Sequence, residues 1–461
     1  MCGIVGFCSE KASTQKALPL VVEMLKNSNG RGHDAVGIAA VDPEGDWRRF
    51  AHPGFARDCC HIRNSEFREL ADWAQLSGAR MWIGHTRYST VGGNTRENMQ
   101  PFRAETRFGR IYVAHNGQLV GHKEYKTLLA ALHNFTSDSD SETLAAYIGQ
   151  EDADTPEEAI ANVIKSVPGV YSVVVLLKDR IIAARDRYGV RPLFIGKGKE
   201  GWGIASEPGI LSGCTVTIEI NPGAMVTLRP GFEPEIVQVM THQRFECLLE
   251  AIYLTRPDRT FPLNGMPASK FREACGRQLA REVSITADIV CGVPASGLYA
   301  AHGFSQESGI DLELGAVLKN VFNGGGRSFI EAGQKSRDHV VRNKFTATPA
   351  LLKGKHVGLV DDSVVRGTTT PGLVRMLKEQ GARSVHLLVA SPPVVGICEY
   401  GIDMPDPKNL IAYKRSVEEV RQRIGADSLN YLSLEGIEKV AANYSPGWCT
   451  GCFSGNYPIK S

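Results

Sequence analysis

The chain carries almost no excess of charge, with 52 basic against 50 acidic residues over 461 positions and a net charge of +2, and it has no strongly basic stretch. That balance argues against a nucleic-acid binder or a protein held on an anionic membrane. Long hydrophobic runs are also missing. The longest apolar stretches, such as residues 170–177, have the length of a strand, well short of the roughly 20 residues a helix needs to cross a bilayer. Glu10 and Lys11 break the N-terminal segment before a signal-peptide core forms, so a cytoplasmic location is expected. Internal repeats and low-complexity tracts are absent, and Gly324, Gly325 and Gly326 form the most flexible local sequence. The 11 cysteines are numerous but too sparse for a disulfide-stapled secreted fold, so in a reducing compartment they need other reasons.

What is present begins at the second residue. Removal of Met1 places Cys2 at the N-terminus, with thiol and α-amine on one residue. An α-amine has a pKa near about 8, roughly two units below lysine, so it can accept the thiol proton at neutral pH. The thiolate is then a nucleophile toward an unreactive carbonyl such as a carboxamide. No long propeptide precedes Cys2, so excision of Met1 alone is expected to complete the site.

A chain of this length has room for two domains, each with its own core. In the first half, short apolar strands are expected at 3–7, 36–41, 81–85, 111–114, 170–177 and 181–184, with helices at 17–25 and 141–150. A turn at 221–223 leads into a late strand, and a helical connection is expected over 241–250. The second half alternates strand 289–293, helix from 296, strand 355–360, helix 370–380 and strand 384–390. This is the pattern of a parallel sheet covered on both faces.

The densest chemical signal lies at 360–370, where a buried strand ends in Asp361-Asp362 and runs through Arg366-Gly367-Thr368-Thr369 into a helix. Ligands of open parallel sheets bind beyond the carboxyl ends of such strands. Backbone N–H groups at 366–369 and the threonine hydroxyls suit a phosphate, and the two acids suit a ribose diol or a divalent cation. The plainer alternative is an acidic turn before an ordinary capped helix. The segment resembles the phosphoribosyl diphosphate loop of type I phosphoribosyltransferases.

The blocks at 1–6, 31–34, 85–90, 115–117, 185–193, 253–257, 360–369, 390–393 and 401–405 extend the resemblance to the whole chain. They are similar in order and spread to the glutamine phosphoribosyl-diphosphate amidotransferases, or amidophosphoribosyltransferases. The resemblance implies an α+β N-terminal-nucleophile αββα glutaminase domain over 2–235. It also implies an α/β type I phosphoribosyltransferase domain with a parallel sheet over 236–461. It makes Cys2 the nucleophile that forms a γ-glutamyl thioester, with Asn116 and the Gly117 N–H as oxyanion donors. Arg87 takes the substrate α-carboxylate and Asp140 its α-amine, a pairing that selects free glutamine. Without this context, Asn116-Gly117 reads as a β-turn.

In the second domain the resemblance places Lys319, Asp361, Asp362, Arg366, Gly367, Thr368 and Thr369 on phosphoribosyl diphosphate. Ser296, Asp361 and Asp362 are its expected magnesium contacts. Ammonia attacks C1 as diphosphate leaves. A loop beginning at Lys319-Asn320 closes over the diphosphate, excludes water and lines a route for ammonia. The family pattern is altered here: Val321 replaces an arginine, Phe322 a tyrosine, and the 319–330 segment is two residues longer. Ala295 replaces an acid and Thr346 an asparagine, while Arg327, Gln334, Arg337, Arg342 and Lys344 remain as polar or cationic groups. Three functions fit these residues. The first is synthesis of 5-phosphoribosylamine for purine nucleotides; the second is delivery of ammonia to a related phosphosugar; the third is a nucleotide sensor that has lost transfer. Intact Cys2 argues against the sensor. The resemblance further implies a homo-oligomer, in its common form a tetramer, and purine nucleotide regulators.

Cys449 and Cys452 form a pair with two-residue spacing, compatible with zinc, iron–sulfur or redox chemistry or with plain thiols. In the iron–sulfur subset of the family, the two further ligands fall at Cys247 and Cys398. A [4Fe–4S] cluster on Cys247, Cys398, Cys449 and Cys452 is therefore expected, as is Mg²⁺ at the transferase site. Cys8, Cys59, Cys60, Cys214, Cys275 and Cys291 read as packing thiols.

Overall fold

Runs of Val, Ile, Ala and Gly without polar alternation become strands buried on both faces, and they set the architecture of the first half. The structure, a computed structural model, describes residues 1–10, 16–88, 95–211, 213–320, 341, 344–404 and 406–459. Two units result: Met1–Glu246 with Cys398–Asp403 and Pro458–Ser461, and Cys247–Ile397 with Met404–Tyr457.

In the first unit the strands are β1 Gly3–Ser9, β2 Ala35–Val41, β3 Trp47–Pro53, β4 Met81–Arg87, β5 Phe102–Thr106, β6 Gly109–Leu119 and β7 Gly169–Leu176. They continue with β8 Ile181–Arg185, β9 Phe194–Gly198, β10 Gly201–Ala205, β11 Cys214–Glu219, β12 Ala224–Leu228 and β13 Glu235–Gln238. Two antiparallel sheets form, in the orders β11-β9-β10-β1-β4-β2-β3 and β13-β12-β8-β7-β6-β5. Three apolar layers show how they stack. Ile4, Ile83, Ala114, Val174 and Val226 fill the space between the sheets. Val5, Ile38 and Trp82 face the other way, against Val21 and Leu25 of helix α1 (Ala17–Asn27) and Phe67 and Leu70 of α2 (Ser65–Leu76). Val113, Val173 and Ile182 of the second sheet meet Leu144 of α3 (Asp140–Gln150) and Ile160 of α4 (Pro156–Ser166). The order helix, sheet, sheet, helix is the expected αββα sandwich.

The strand runs expected around 3–7, 36–41, 81–85, 111–114, 170–177 and 181–184 all form. Strands β3 and β13 gave no such signal, because they lie at sheet edges and expose polar side chains. The helix expected over 241–250 does not form. Arg244 pairs with Glu246 at 2.6 Å, and residues two apart share a side only in extended chain. A short strand, Glu246–Cys247, and a π-helical turn, Glu250–Leu254, follow instead.

The second unit holds a parallel sheet of β14 (Ile289–Gly292), β17 (His356–Asp361), β18 (Ser384–Val389) and β19 (Ser428–Tyr431), hydrogen-bonded in that order. A hairpin of β15 (Val317–Lys319) and β16 (Phe345–Ala347) lies between β14 and β17 in sequence. Helices α5 (Ala268–Glu282) and α6 (Gly297–Ser308) pack together, with α6 against β14 and β17. Leu373 and Leu377 of α7 (Thr370–Glu379) and Val420 and Ile424 of α8 (Val417–Ile424) join Leu359 and Leu387 in the core. The α/β alternation read from sequence is therefore observed. Among the described residues, no helix is long and apolar enough to cross a membrane.

A buried cation braces the first unit. Arg185, fully buried, donates from Nε to the Arg191 carbonyl at 2.7 Å and from Nη1 to the Ile220 carbonyl at 2.7 Å and Glu219 at 3.0 Å. Its Nη2 reaches the Gly189 carbonyl. The neighbouring Asp186 accepts from the N–H groups of Tyr171, Tyr188 and Gly189, while burial pushes its carboxyl up to about 6. A lysine keeps the charge at 185 but cannot serve this fork of acceptors. Arg185→Lys is therefore expected to cost about 3 kcal/mol, read as a lowered urea midpoint with unchanged m-value.

Candidate active site

Strand β1 lies inside its sheet, between β10 and β4, so the residues that follow the chain start are held on both sides. Arg31, 3% exposed, donates from Nε to the Cys2 carbonyl at 3.0 Å and pairs through Nη1 with buried Glu207 at 2.6 Å. The Cys2 thiol donates to the Tyr88 carbonyl at 3.7 Å. Arg31 lies in a family-matching block without an assigned role. Glu207 has no local signal at all, because its partner is 176 residues away.

Arg87 closes β4 and is 4% exposed. Burial lowers its pKa, and the opposing fields of Cys2, Asp140 and Asp34 raise it again. One guanidinium thus lies within the fields of both Cys2 and Asp140, the residues expected to attack and to flank glutamine. It also donates to the Asn98 carbonyl, a contact unforeseen from sequence. Asp140 opens α3, where Ser139 caps the helix by accepting the Ser141 N–H. A carboxylate is favoured at a helix N-terminus, and Asp140 Oδ2 accepts the Leu119 N–H at 3.0 Å. That bond ties it to β6, which carries Asn116 and Gly117.

Asn116 is 1% exposed, and its Nδ2 has no hydrogen-bond partner among the described residues. A buried donor left unpaired costs about 1–3 kcal/mol, which a charged acceptor could recover. Gly117 has φ +150°, and a Cβ there would lie 1.9 Å from the Val170 carbonyl oxygen, so only glycine fits.

In the second unit, β17 ends at Asp361, and Asp362 and the 363–369 turn lead into α7. Both acids are buried. Burial, then the Asp362 charge, pushes Asp361 well above the usual carboxylate range; burial also raises Asp362, against hydrogen bonds from Ser296 and Ser363. Lys344 lies near enough to oppose the Asp361 shift. Gly367 sits at φ +63°, and a Cβ would meet Ile411 at 2.3 Å. Thr369 occupies the N-cap of α7 without a side-chain cap bond, which argues against the plain capped-helix reading. Beyond the loop, a cavity of about 580 Å³ is lined by Arg366, Arg375, Lys378, Lys408, Arg415 and Arg423, with Glu379, a field that favours anions.

Lys319 is exposed at the end of β15, and Thr346 Oγ1 bonds Asn320 Oδ1 at 2.5 Å across the hairpin. Ala295 is exposed. Val321, Phe322, Arg327, Gln334, Arg337, Arg342 and the rest of the altered 321–330 segment lie outside the described residues.

The metal expectations are corrected. Among the described residues, no group of three or more His, Cys, Asp or Glu side chains is gathered to hold a metal ion. Cys247, Cys398, Cys449 and Cys452 are all described and do not form the expected [4Fe–4S] site. A tetrathiolate needs four converging sulfurs, and among the described residues no such gathering of ligating side chains is found. Placement in the iron–sulfur subset falls with it. Nor do Ser296, Asp361 and Asp362 amount to a protein-built magnesium site: no His, Cys or third acid joins the two carboxylates among the described residues, and Asp361 accepts the Asp362 N–H and Asp362 the Ser363 hydroxyl.

Comparison with known proteins agrees with both halves. A model of the glutamine amidotransferase domain matches residues 85–213. The chain is 36% identical over 481 residues to the amidophosphoribosyltransferase of Methanocaldococcus jannaschii, covering 100% of this chain and 98% of that protein. With the Bacillus subtilis amidophosphoribosyltransferase it shares 37% over 469 residues, covering 100% and 94%. The solved structure of the B. subtilis glutamine phosphoribosylpyrophosphate amidotransferase complexed with ADP and GMP matches with a TM-score of 0.85 at 33% identity, over 100% of this chain and 98% of that one. A glutaminase sandwich followed by a phosphoribosyltransferase sheet defines a glutamine amidotransferase of the two-domain class. Within that class, the chain belongs to the amidophosphoribosyltransferase family.

The paired acids allow a test of site against stability. A carboxyl whose folded pKa lies above its unfolded value of about 3.9 contributes stability at low pH that is lost as pH rises through the folded pKa. Asp361→Asn avoids that loss and still accepts the Asp362 N–H. The variant is expected to be more stable at pH 8 by about 1–3 kcal/mol, with the difference shrinking toward pH 5 in thermal scans. Phosphoribosyl transfer should fall about 100-fold or more.

Proposed function

We propose that residues 2–235 and 236–461 carry two half-reactions joined by ammonia. The overall reaction is that of the family: with glutamine as nitrogen donor, the enzyme converts 5-phosphoribosyl 1-diphosphate to 5-phosphoribosylamine in purine nucleotide synthesis. In the first half, the Cys2 α-amine accepts the thiol proton and the thiolate attacks the glutamine amide carbon. Asn116 Nδ2 and the Gly117 N–H take the oxyanion, while Arg87 holds the α-carboxylate and Asp140 the α-ammonium. Collapse of the adduct releases ammonia, which carries away the proton held by the amine. Water then cleaves the thioester to glutamate and restores the thiol.

In the second half, ammonia attacks C1 and the C1–O bond to diphosphate breaks. The N–H groups and hydroxyls of Arg366 to Thr369 hold the 5-phosphate, Asp361 and Asp362 take the ribose hydroxyls, and Lys319 faces the diphosphate. The observation that carries this reading is the unpartnered, buried Nδ2 of Asn116 in a unit where Arg87 senses both Cys2 and Asp140. The same reading extends to a cytoplasmic homo-oligomer, a tetramer in its expected form. Purine nucleotides are its regulators, in keeping with the relative solved with ADP and GMP.

Cys2→Ala tests the division of labour. Glutamine-dependent synthesis should fall about 1000-fold or more, while synthesis from ammonium salts stays within about threefold of the parent. Glutamate and diphosphate are followed together. Loss of both activities in a folded variant overturns the assignment of the half-reactions.

A further inference from the structure

The β5–β6 ladder ends with Phe102 opposite Val113. Two residues before Phe102, outside the strand, Gln100 meets His115, two residues beyond Val113, through its side chain. Gln100 Oε1 accepts the His115 N–H at 2.6 Å, and Nε2 donates to the His115 carbonyl at 3.2 Å. A carboxamide has the donor and acceptor of a peptide group, so it extends the sheet edge by one rung. The same Nε2 donates to Ser141 Oγ at 2.9 Å, and that oxygen lies 2.9 Å from His115 Nδ1. Gln100, His115 and Ser141 are each at most 3% exposed.

His115 immediately precedes Asn116, and Ser141 immediately follows Asp140. We propose that Gln100 is a positioning residue that fixes the spacing between the oxyanion donors and the acid that receives the glutamine ammonium. Through that spacing it sets specificity for an amide carried by a free α-amino acid. The inference rests on the proposed roles of Asn116 and Asp140. Of the ordinary side chains, only a carboxamide offers one acceptor and two donors here: glutamate lacks the donors, and leucine leaves the His115 N–H and carbonyl unpaired in a dry interior.

A double-mutant cycle tests it. Gln100→Glu should lower kcat for glutamine hydrolysis about 100-fold and raise the glutamine KM about tenfold, with ammonia-dependent synthesis within about threefold of the parent. In the Asn116→Ala background, the same substitution should change kcat less than about threefold while still raising KM, because the donor it aligns is already gone. Ser141→Ala cuts the link to α3 but leaves the bonds to His115, so it should raise KM with kcat nearly intact; it also serves if Gln100→Glu fails to fold. Full multiplication of the kcat losses in the double variant, or an unchanged KM in folded Ser141→Ala, overturns the role of Gln100. A normal kcat in Asn116→Ala alone overturns the oxyanion assignment instead.

Discussion

A guanidinium buried beside the N-terminal strand ties the first residues of the chain to the rest of the glutaminase unit. Arg31 holds the Cys2 carbonyl on one side and Glu207 on the other. Chain ends fray unless something ties them down, and a residue as near the chain start as Cys2 is subject to that motion. The inner position of β1 fixes the residues after Cys2, and the Arg31 bond fixes Cys2 itself. The electrostatic environment follows from the same arrangement: Arg87 closes the neighbouring strand β4, and the charges of Cys2 and Asp140 oppose the lowering of its pKa by burial. Removing either partner of the Arg31–Glu207 pair leaves a charge in a dry place, a larger loss than the pair's own net contribution.

The transferase site rests on the opposite principle. The glutaminase unit pairs its buried Arg31 and Glu207 within the protein, whereas Asp361 and Asp362 stand side by side at a strand end, where burial raises both and the Asp362 charge raises Asp361 further. Ribose hydroxyls can both donate to and accept from such a pair. The loop that follows leaves the N-cap threonine side chain uncommitted to its own helix. Polar groups held out of internal bonds in this way favour a ligand over the empty fold.

Much of this could be read in the sequence, for identifiable reasons. Strands buried on both faces announce themselves as apolar runs, and the strand, acid pair and Gly-Thr turn at 360–370 carry their chemistry within one short segment. Edge strands such as β3 and β13, with exposed polar residues, carry no comparable signature. Arg87, Asn116 and Asp140 stand out in the sequence through their motifs, with roles that stay proposals, but Glu207 meets Arg31 across 176 residues, where sequence gives no pairing. The cysteine reading failed for a related reason. A two-residue spacing specifies a local pair, whereas a cluster needs distant thiols to converge, and convergence is a property of the tertiary structure.

Residues 398–403 fold with the first unit, although more than 150 residues separate them from Glu246. Arg191 donates from Nε to the Tyr400 carbonyl at 3.1 Å, and Nη2 reaches the same oxygen. Arg191 is itself fully buried in the finished fold, so one acceptor of this cation comes from a segment late in the chain. Synthesis from the N-terminus therefore yields Cys2 first and a piece of the same unit late. The first unit is complete only once most of the second has been made.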